Sequence, residues 1–415
     1  MADQNAPTEQ QLAEALTNAA PILLAPRPVA EAVKAAPEPD ETWELHGGTA
    51  WVYYGNGNQG LTRPFILADG FNSGPSERDP LWNHFDNGAY AFLTELRNRG
   101  TDVVLLGFDE RSASILDNAR IAADAIMRAI AERRGNTPLV VGGVSMGGLV
   151  TRYALAKMES DSIDHQTELY FSYDSPHRGA WIPIALQAFA HYIRKLDSRF
   201  SDQMNSPAAQ QLLSQHIDTW EDTPAPSPLR EEFLRALERV GGWPMRPRKI
   251  GVANGVGTGA GNGIQPGAKA FRGKGLAITG TELYAQSQGD DQLVAQLRVV
   301  TLKKPQVRTS GLPDIDGAPG GTLEGFGILA DALNALPAYA GMASEALIRE
   351  HCFVPAVSAV DIKGVATHDE LYSPVNDLEP SDSGLDDFKL ASQNEAHSLM
   401  TEELGSWIID RLPQR

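Results

Sequence analysis

Cysteine, basic residues and long apolar runs are all scarce in this chain, and each shortage removes a class of function. Cys352 is the one cysteine among 415 residues, so no intrachain disulfide can form and no C-x-x-C pair exists for metal or redox work. Lys and Arg number 35 against 53 Asp and Glu, a net charge of −18, with no basic tract. That balance excludes nucleic acid as a partner and repels an anionic membrane surface. No apolar run approaches the ~18 residues that a bilayer-spanning helix requires. The pairs Asp290-Asp291 and Asp386-Asp387 lack the spacing of a calcium loop. Gly255-Val256-Gly257-Thr258-Gly259-Ala260 matches a dinucleotide fingerprint in letters alone. Gly261, Gly263, Pro266 and Gly267 break the helix that should follow, and no acidic residue lies about 20 positions on. Neither a metal nor a cofactor is expected. The start, Met1-Ala2-Asp3-Gln4-Asn5, has neither the basic beginning nor the apolar core of a signal peptide. The chain reads as cytoplasmic, or as exported with a leader that this sequence does not carry.

What is present is an alternation of short apolar runs and helical segments. Ala50 to Tyr54, Pro64 to Ala68, Asp102 to Leu106, Pro138 to Val141, Glu168 to Tyr173 and Arg248 to Ala253 have the character of buried strands. Helical segments fall between them, around Ala89 to Arg99, Ser114 to Arg134 and Met146 to Met158. In Ser114 to Arg134 the apolar positions Ile115, Ala119, Ala122, Ile126 and Ile130 recur at spacings of three and four, and Gly135 stops the pattern. Strands alternating with helices of this length predict βαβ units and a mostly parallel sheet covered on both faces. Residues 1–42, rich in Ala, Pro and Glu, read as an extension outside the fold that can pack on it, with Gln10 to Val33 partly helix-like. Residues 43–177 and 246–415 form the core. Residues 178–245, with helical stretches at 181–193, 207–217 and 227–240, interrupt it where a lid above the strand ends is expected. Residues 254–350 are an irregular insertion with candidate strands at 276–279 and 297–301. Phe353 to Ile362 reads as the last parallel strand region and Ser398 to Leu412 as a closing helix.

The chemistry concentrates at Gly143-Val144-Ser145-Met146-Gly147, between an apolar run and a helical one. G-x-S-x-G between a strand and a helix is the nucleophile elbow, a strained turn that projects a serine hydroxyl. Side chains two residues to either side of the serine would collide, so both positions are glycine. The helix behind the turn brings partial positive charge to the point where an oxyanion would form. The hydroxyl needs a base, and the base an orienting acid; in this fold they follow the serine as acid, then His. His165, His191 and His216 are expected to face solvent. His351 and His368 are possible bases. His397 is favoured, because it occupies a loop just before the terminal amphipathic helix. Trp181, Ile182, Ile184, Leu186 and Phe189 either line an acyl pocket or pack the lid.

Four segments resemble bacterial α/β-hydrolase-fold lipases and esterases. They are Gly143 to Leu149, Asp174-Ser175-Pro176-His177-Arg178-Gly179 (similar to a T-P-H-x-G segment), Phe353 to Ser358 (similar to V-P-x-x-S), and His397 before the last helix. The likeness spans roughly residues 60–180 and 350–412. It implies an α/β-hydrolase fold and an oxyanion hole formed by the backbone N–H groups of Met146 and Phe71. The family's His-Gly is replaced by Asp69-Gly70, which brings a carboxylate near that hole. For the acid, Asp174 at the end of the strand after the elbow comes first, Glu350 second, and Asp314, Asp316 and Asp361 share the rest; the alternative use of Asp174 is a helix cap. The implied activity is cleavage of a carboxylic ester, lipid-like, aromatic or polymeric, through an acyl-enzyme on Ser145. An acyltransferase or thioesterase would use the same residues, and a catalytically silent binding protein is the remaining reading.

Overall fold

A computed structural model describes residues 6–27, 33–86, 89–365 and 368–413. Residues 1–5, on which the signal-peptide reading rests, and part of the N-terminal extension lie outside the described residues.

Eight strands make the main sheet: β1 (Glu41–Leu45), β2 (Gly48–Tyr53), β3 (Pro64–Ala68), β4 (Asp102–Phe108), β5 (Leu139–Val144), β6 (Thr167–Tyr173), β7 (Arg248–Val256) and β8 (Asp387–Ala391). Their order is β1-β2-β4-β3-β5-β6-β7-β8. β2 runs antiparallel to both neighbours, and every pairing from β4 through β8 is parallel. This is the α/β-hydrolase arrangement that the sequence implies. Alternation along the strands divides the core into two layers. Phe65, Leu67, Val103 and Leu105 face one layer, whereas Ile66, Ala68, Val104 and Leu106 face the other.

The first layer is closed by α2 (Arg78–Phe85), α3 (Phe92–Asn98) and the terminal helix Glu402–Ile409, which contribute Trp82, Phe92 and Ile408. The second is closed by α4 (Ile115–Glu132) and α5 (Met146–Ser160). Ser114 caps α4 by accepting from the Leu116 N–H, so the helix begins where the polar residue precedes the apolar period.

Outside the sheet, several sequence expectations change. The region 254–350 is built rather than irregular: Lys269–Gly273, Glu282–Tyr284, Gln292–Gln296, Gln306–Thr309 and Ser344–Ala346 form an antiparallel sheet. The candidate strand at 276–279 falls in a turn that ends on Gly280, at φ of 90°, and 297–301 follows Gln292–Gln296 without continuing it. His351–Pro355 is not the last parallel strand. It pairs antiparallel with Gly320–Leu323, and β8 takes the sheet edge instead. The N-terminal extension packs on the fold through α1 (Glu9–Asn18), whose Leu12, Ala15 and Leu16 are buried.

The insertion 178–245 folds into α6 (Ile184–Tyr192), α7 (Arg199–Met204), α8 (Pro207–Leu212) and α9 (Pro228–Arg239). Every residue of α6 is buried. Trp181, Ile182, Ile184, Leu186 and Phe189 all lie in the main core, which decides for packing over an acyl pocket.

Candidate active site

β5 delivers Ser145 to the tip of the elbow with φ of 52° and ψ of −124°, a conformation disfavoured for any residue with a side chain. Two backbone bonds hold it there: Ser145 N–H donates to Tyr173 O at 2.9 Å, and Gly148 N–H to Ser145 O at 3.2 Å. The flanking glycines have distinct steric duties. A Cβ on Gly143 would lie 2.3 Å from the Gly147 carbonyl carbon, across the turn. A Cβ on Gly147 would lie 2.2 Å from Ala68 O at the end of β3. The second glycine therefore serves the packing of α5 on its neighbouring strand as much as the turn itself.

Asp174 directly follows β6, and the loop after β8 carries His397. The three side chains form a hydrogen-bonded chain. Ser145 Oγ lies 2.8 Å from His397 Nε2, and His397 Nδ1 lies 2.6 Å from Asp174 Oδ2. Since a carboxylate only accepts, Nδ1 carries the proton and Nε2 is left to accept from the serine. Asp174 is fully buried and takes two further N–H donors, Asn254 N to Oδ1 at 3.0 Å and Ser398 N to Oδ2 at 3.3 Å. It caps no helix: Pro183 occupies that position before α6.

The His397 loop is tied from both sides. Its N–H donates to Thr322 O at 2.7 Å, Tyr173 Oη donates to Leu399 O at 2.7 Å, and the Phe353 ring packs edge-on against the imidazole. Two positions escaped the sequence reading. Gly321 passes so close that a Cβ would lie 2.2 Å from Asp174 Oδ2, and Asn254 holds Asp174 with its N–H while its Nδ2 donates to Leu399 O. The Gly320-Gly321 pair was the only available signal for the first.

The two backbone donors that the resemblance implies, Met146 and Phe71, lie on either side of the serine in the chain order of the site. Among the described residues, the N–H groups of Met146 and Phe71 have no hydrogen-bond acceptor. A Cβ on Gly70 would lie 3.2 Å from Ser145 Cβ, so the loop before Phe71 runs directly over the serine. Asp69 also lines the cavity, but its carboxylate is engaged. Its carboxylate accepts from Gly70 N–H at 2.7 Å and from Ser76 Oγ at 2.7 Å, with Arg111 at 3.7 Å. Burial pushes its pKa up, opposed by Arg111 and by the two hydrogen bonds.

The other candidates lie elsewhere. Glu350 is exposed and accepts from Thr322 Oγ1 at 3.0 Å; it does not contact His397. Asp314 pairs with His368, Asp361 with Arg178, and Asp316 is buried against Trp181 and Gln286. His351 is buried and bonds Cys352 O. His165, His191 and His216 do not face solvent: each is buried, because Glu159, Ser201 and Met204 O, respectively, supply partners that the sequence pattern does not display. Among the described residues no three His, Cys, Asp or Glu side chains gather as metal ligands.

Ser145 and His397 open into a cavity of about 380 Å³. Phe71, Leu81, Val144 and Phe353 give it apolar walls, and His84 of α2 lies beside His397. Burial and the neighbouring imidazole lower the His84 pKa to about 4, so that ring is neutral at ordinary pH. None of the lining residues comes from 178–245. Leu24 to Arg27, Val33 and Lys34 of the N-terminal segment are among the residues that line the cavity.

No family model and no curated protein matches the chain. Solved structures similar to it include the mature Bacillus licheniformis lipase BlEst2, at 13% identity and TM-score 0.33, over 50% of this chain and 73% of that one. Est1E from Butyrivibrio proteoclasticus is 13% identical with TM-score 0.30, over 51% and 77%. A putative esterase from Staphylococcus aureus is 14% identical with TM-score 0.32, over 53% and 69%. The strand order and the elbow, not these distant likenesses, define the fold.

Proposed function

We propose that this protein hydrolyses carboxylic esters through an acyl-enzyme on Ser145. The observation that carries this reading is the chain Asp174–His397–Ser145, ending in a cavity beside two backbone N–H groups that have no acceptor among the described residues. His397 Nε2 takes the Ser145 proton as Oγ attacks the acyl carbon. Asp174 keeps the imidazole in the tautomer that can accept, and stabilises the imidazolium once formed. Met146 and Phe71 N–H groups stabilise the oxyanion of the tetrahedral intermediate. The imidazolium then protonates the leaving alkoxide, and water, activated by the same base, releases the acid.

The test is stoichiometric labelling by a small fluorophosphonate together with turnover of p-nitrophenyl butyrate. Wild-type protein should label at one site and turn over. Ser145→Ala should do neither while melting as wild type, since removing the nucleophile typically costs a factor of about 10⁶. Labelling that survives in Ser145→Ala would refute the assignment.

A further inference from the structure

The loop over the serine carries a charge of the wrong sign for the chemistry beside it. Asp69 takes the place of the family's His, one residue before the glycine whose Cβ would lie 3.2 Å from Ser145 Cβ and two before Phe71. Its buried carboxylate receives two neutral donors, Gly70 N–H and Ser76 Oγ, each at 2.7 Å, where about four could be accepted. Among the described residues its ion partner is Arg111, with Nη1 3.7 Å from Oδ2. That distance is too long for a hydrogen bond, so the two groups meet through charge rather than through a directed contact. The guanidinium is held in place from its other side. Nε donates to Gly74 O at 3.2 Å, Nη2 to Ser73 O at 3.4 Å, and the Arg111 N–H to Gly74 O at 3.1 Å. Glu110, the neighbouring acid, is occupied elsewhere, accepting from Gly74 N–H and Ser112 N–H at 2.9 Å each and from Ser112 Oγ at 2.7 Å. Asp69 and Arg111 both line the cavity that holds Ser145.

We infer that Arg111 is the counter-charge of the oxyanion site: it neutralises Asp69, and so lets a loop that carries a carboxylate stabilise a developing negative charge. The inference rests on the ester-hydrolase reading and adds a residue to it. A lone carboxylate in the loop that leads to Phe71 opposes an oxyanion for the same reason that backbone donors there favour one, because charges interact strongly where water is excluded. Paired with a fixed cation it becomes a dipole, whose field falls away faster with distance. Asp69 then keeps its other task, tying Gly70 N–H to Ser76, without hindering the reaction. Arg111 acts through Asp69, which makes it a positioning residue and gives it a signature that a structural role lacks. If its work is to cancel one charge, removing that charge makes it dispensable. If its work is to pin the Ser73 and Gly74 carbonyls, removing the charge of Asp69 changes nothing.

The experiment measures kcat and KM on p-nitrophenyl butyrate, with thermal melts, for wild type, Arg111→Met, Arg111→Lys, Asp69→Asn and Asp69→Asn/Arg111→Met. Arg111→Met should lose about a hundredfold in kcat at unchanged KM, the lower end of what removing an oxyanion donor costs. Arg111→Lys keeps the charge and loses the planar fork, so it should lose no more than about threefold. The double variant should match Asp69→Asn alone, about tenfold below wild type, and so turn over about tenfold faster than Arg111→Met. A double variant as slow as Arg111→Met overturns the inference. So does Arg111→Lys falling as far as Arg111→Met, or Arg111→Met running at the wild-type rate. If Arg111→Met fails to fold because it strands a buried carboxylate, the double variant against Asp69→Asn decides alone, and a further tenfold loss there overturns the inference. Fluorophosphonate labelling of wild type separates the two levels. Labelled, active wild type with additive losses removes the counter-charge alone, whereas unlabelled, inactive wild type removes the ester-hydrolase reading and the inference with it.

Discussion

Replacing Asp174 by Asn exchanges one acceptor oxygen for an amide donor in a fully buried position. With Oδ1 still accepting from Asn254 N–H, the new NH₂ sits where Oδ2 met both His397 Nδ1–H and Ser398 N–H. Two donors would then face a third. The imidazole relieves this only by moving its proton to Nε2, and that nitrogen then cannot accept the Ser145 proton. The rate should fall by about 10⁴, as expected when the wrong tautomer is enforced. At 1.36 kcal/mol per factor of ten this is roughly 5 kcal/mol of barrier. Stability should fall by less, about 1 to 3 kcal/mol for the unpaired Ser398 N–H and the lost charge-assisted bond. The variant therefore stays folded, melting a few degrees lower. Butyrate turnover and a thermal melt measure the two quantities on one preparation. Glu350→Gln is the control: its carboxylate meets only Thr322 and solvent, so turnover should stay within about twofold. A slow Glu350→Gln beside an active Asp174→Asn would refute the assignment of the acid.

Three further outcomes follow from the geometry. Gly147→Ala should destabilise by about 3 kcal/mol or abolish folding, since its Cβ meets backbone atoms that cannot yield, Ala68 O at 2.2 Å and Asp69 O at 2.6 Å; an unchanged melt would show that α5 has room to move. Asp69→Asn weakens the tie between Gly70 N–H and Ser76 that fixes the Phe71 loop, so kcat should fall about tenfold with KM unchanged, a fraction of what losing an oxyanion donor costs; a rise in KM alone would place Asp69 in substrate binding. Burial raises the Asp316 pKa to about 6, so the native state retains a proton that the unfolded chain releases near pH 4. The stability this supplies is complete below that window and lost as pH rises through 6. Melts from pH 4 to 7 should show wild type declining relative to Asp316→Asn, and parallel curves would refute the assignment.

The sheet was legible because its strands are buried on both sides and read as apolar runs, and the elbow because two glycines bracket a serine at a strand–helix junction. His397 was legible by position alone, in the loop before an amphipathic helix. Asp174 could be favoured but not separated from Glu350, since the choice depends on which β-strand end lies under the His loop. Where the N-terminal segment is held was not legible, for a physical reason. Leu24 and Lys34 are held mainly by backbone bonds to the side chains of Gln203 and Asn83, and such anchors leave no periodic trace in the segment they hold. The buried histidines of 165, 191 and 216 mislead in the same way, each satisfied by a partner that only the tertiary structure supplies.

Ser145 and His397 are separated by 252 residues, and Asp174 and His397 by 223. During synthesis the elbow, the buried carboxylate and β1 to β7 all emerge before the imidazole does. β8 must then add to the edge of β7 before the following loop can fold back over the serine. A nascent chain long enough to form seven strands of the sheet still lacks a base, and its serine is as inert as any surface hydroxyl. On the proposed mechanism, reactivity therefore arrives only after the last strand of the sheet has been made.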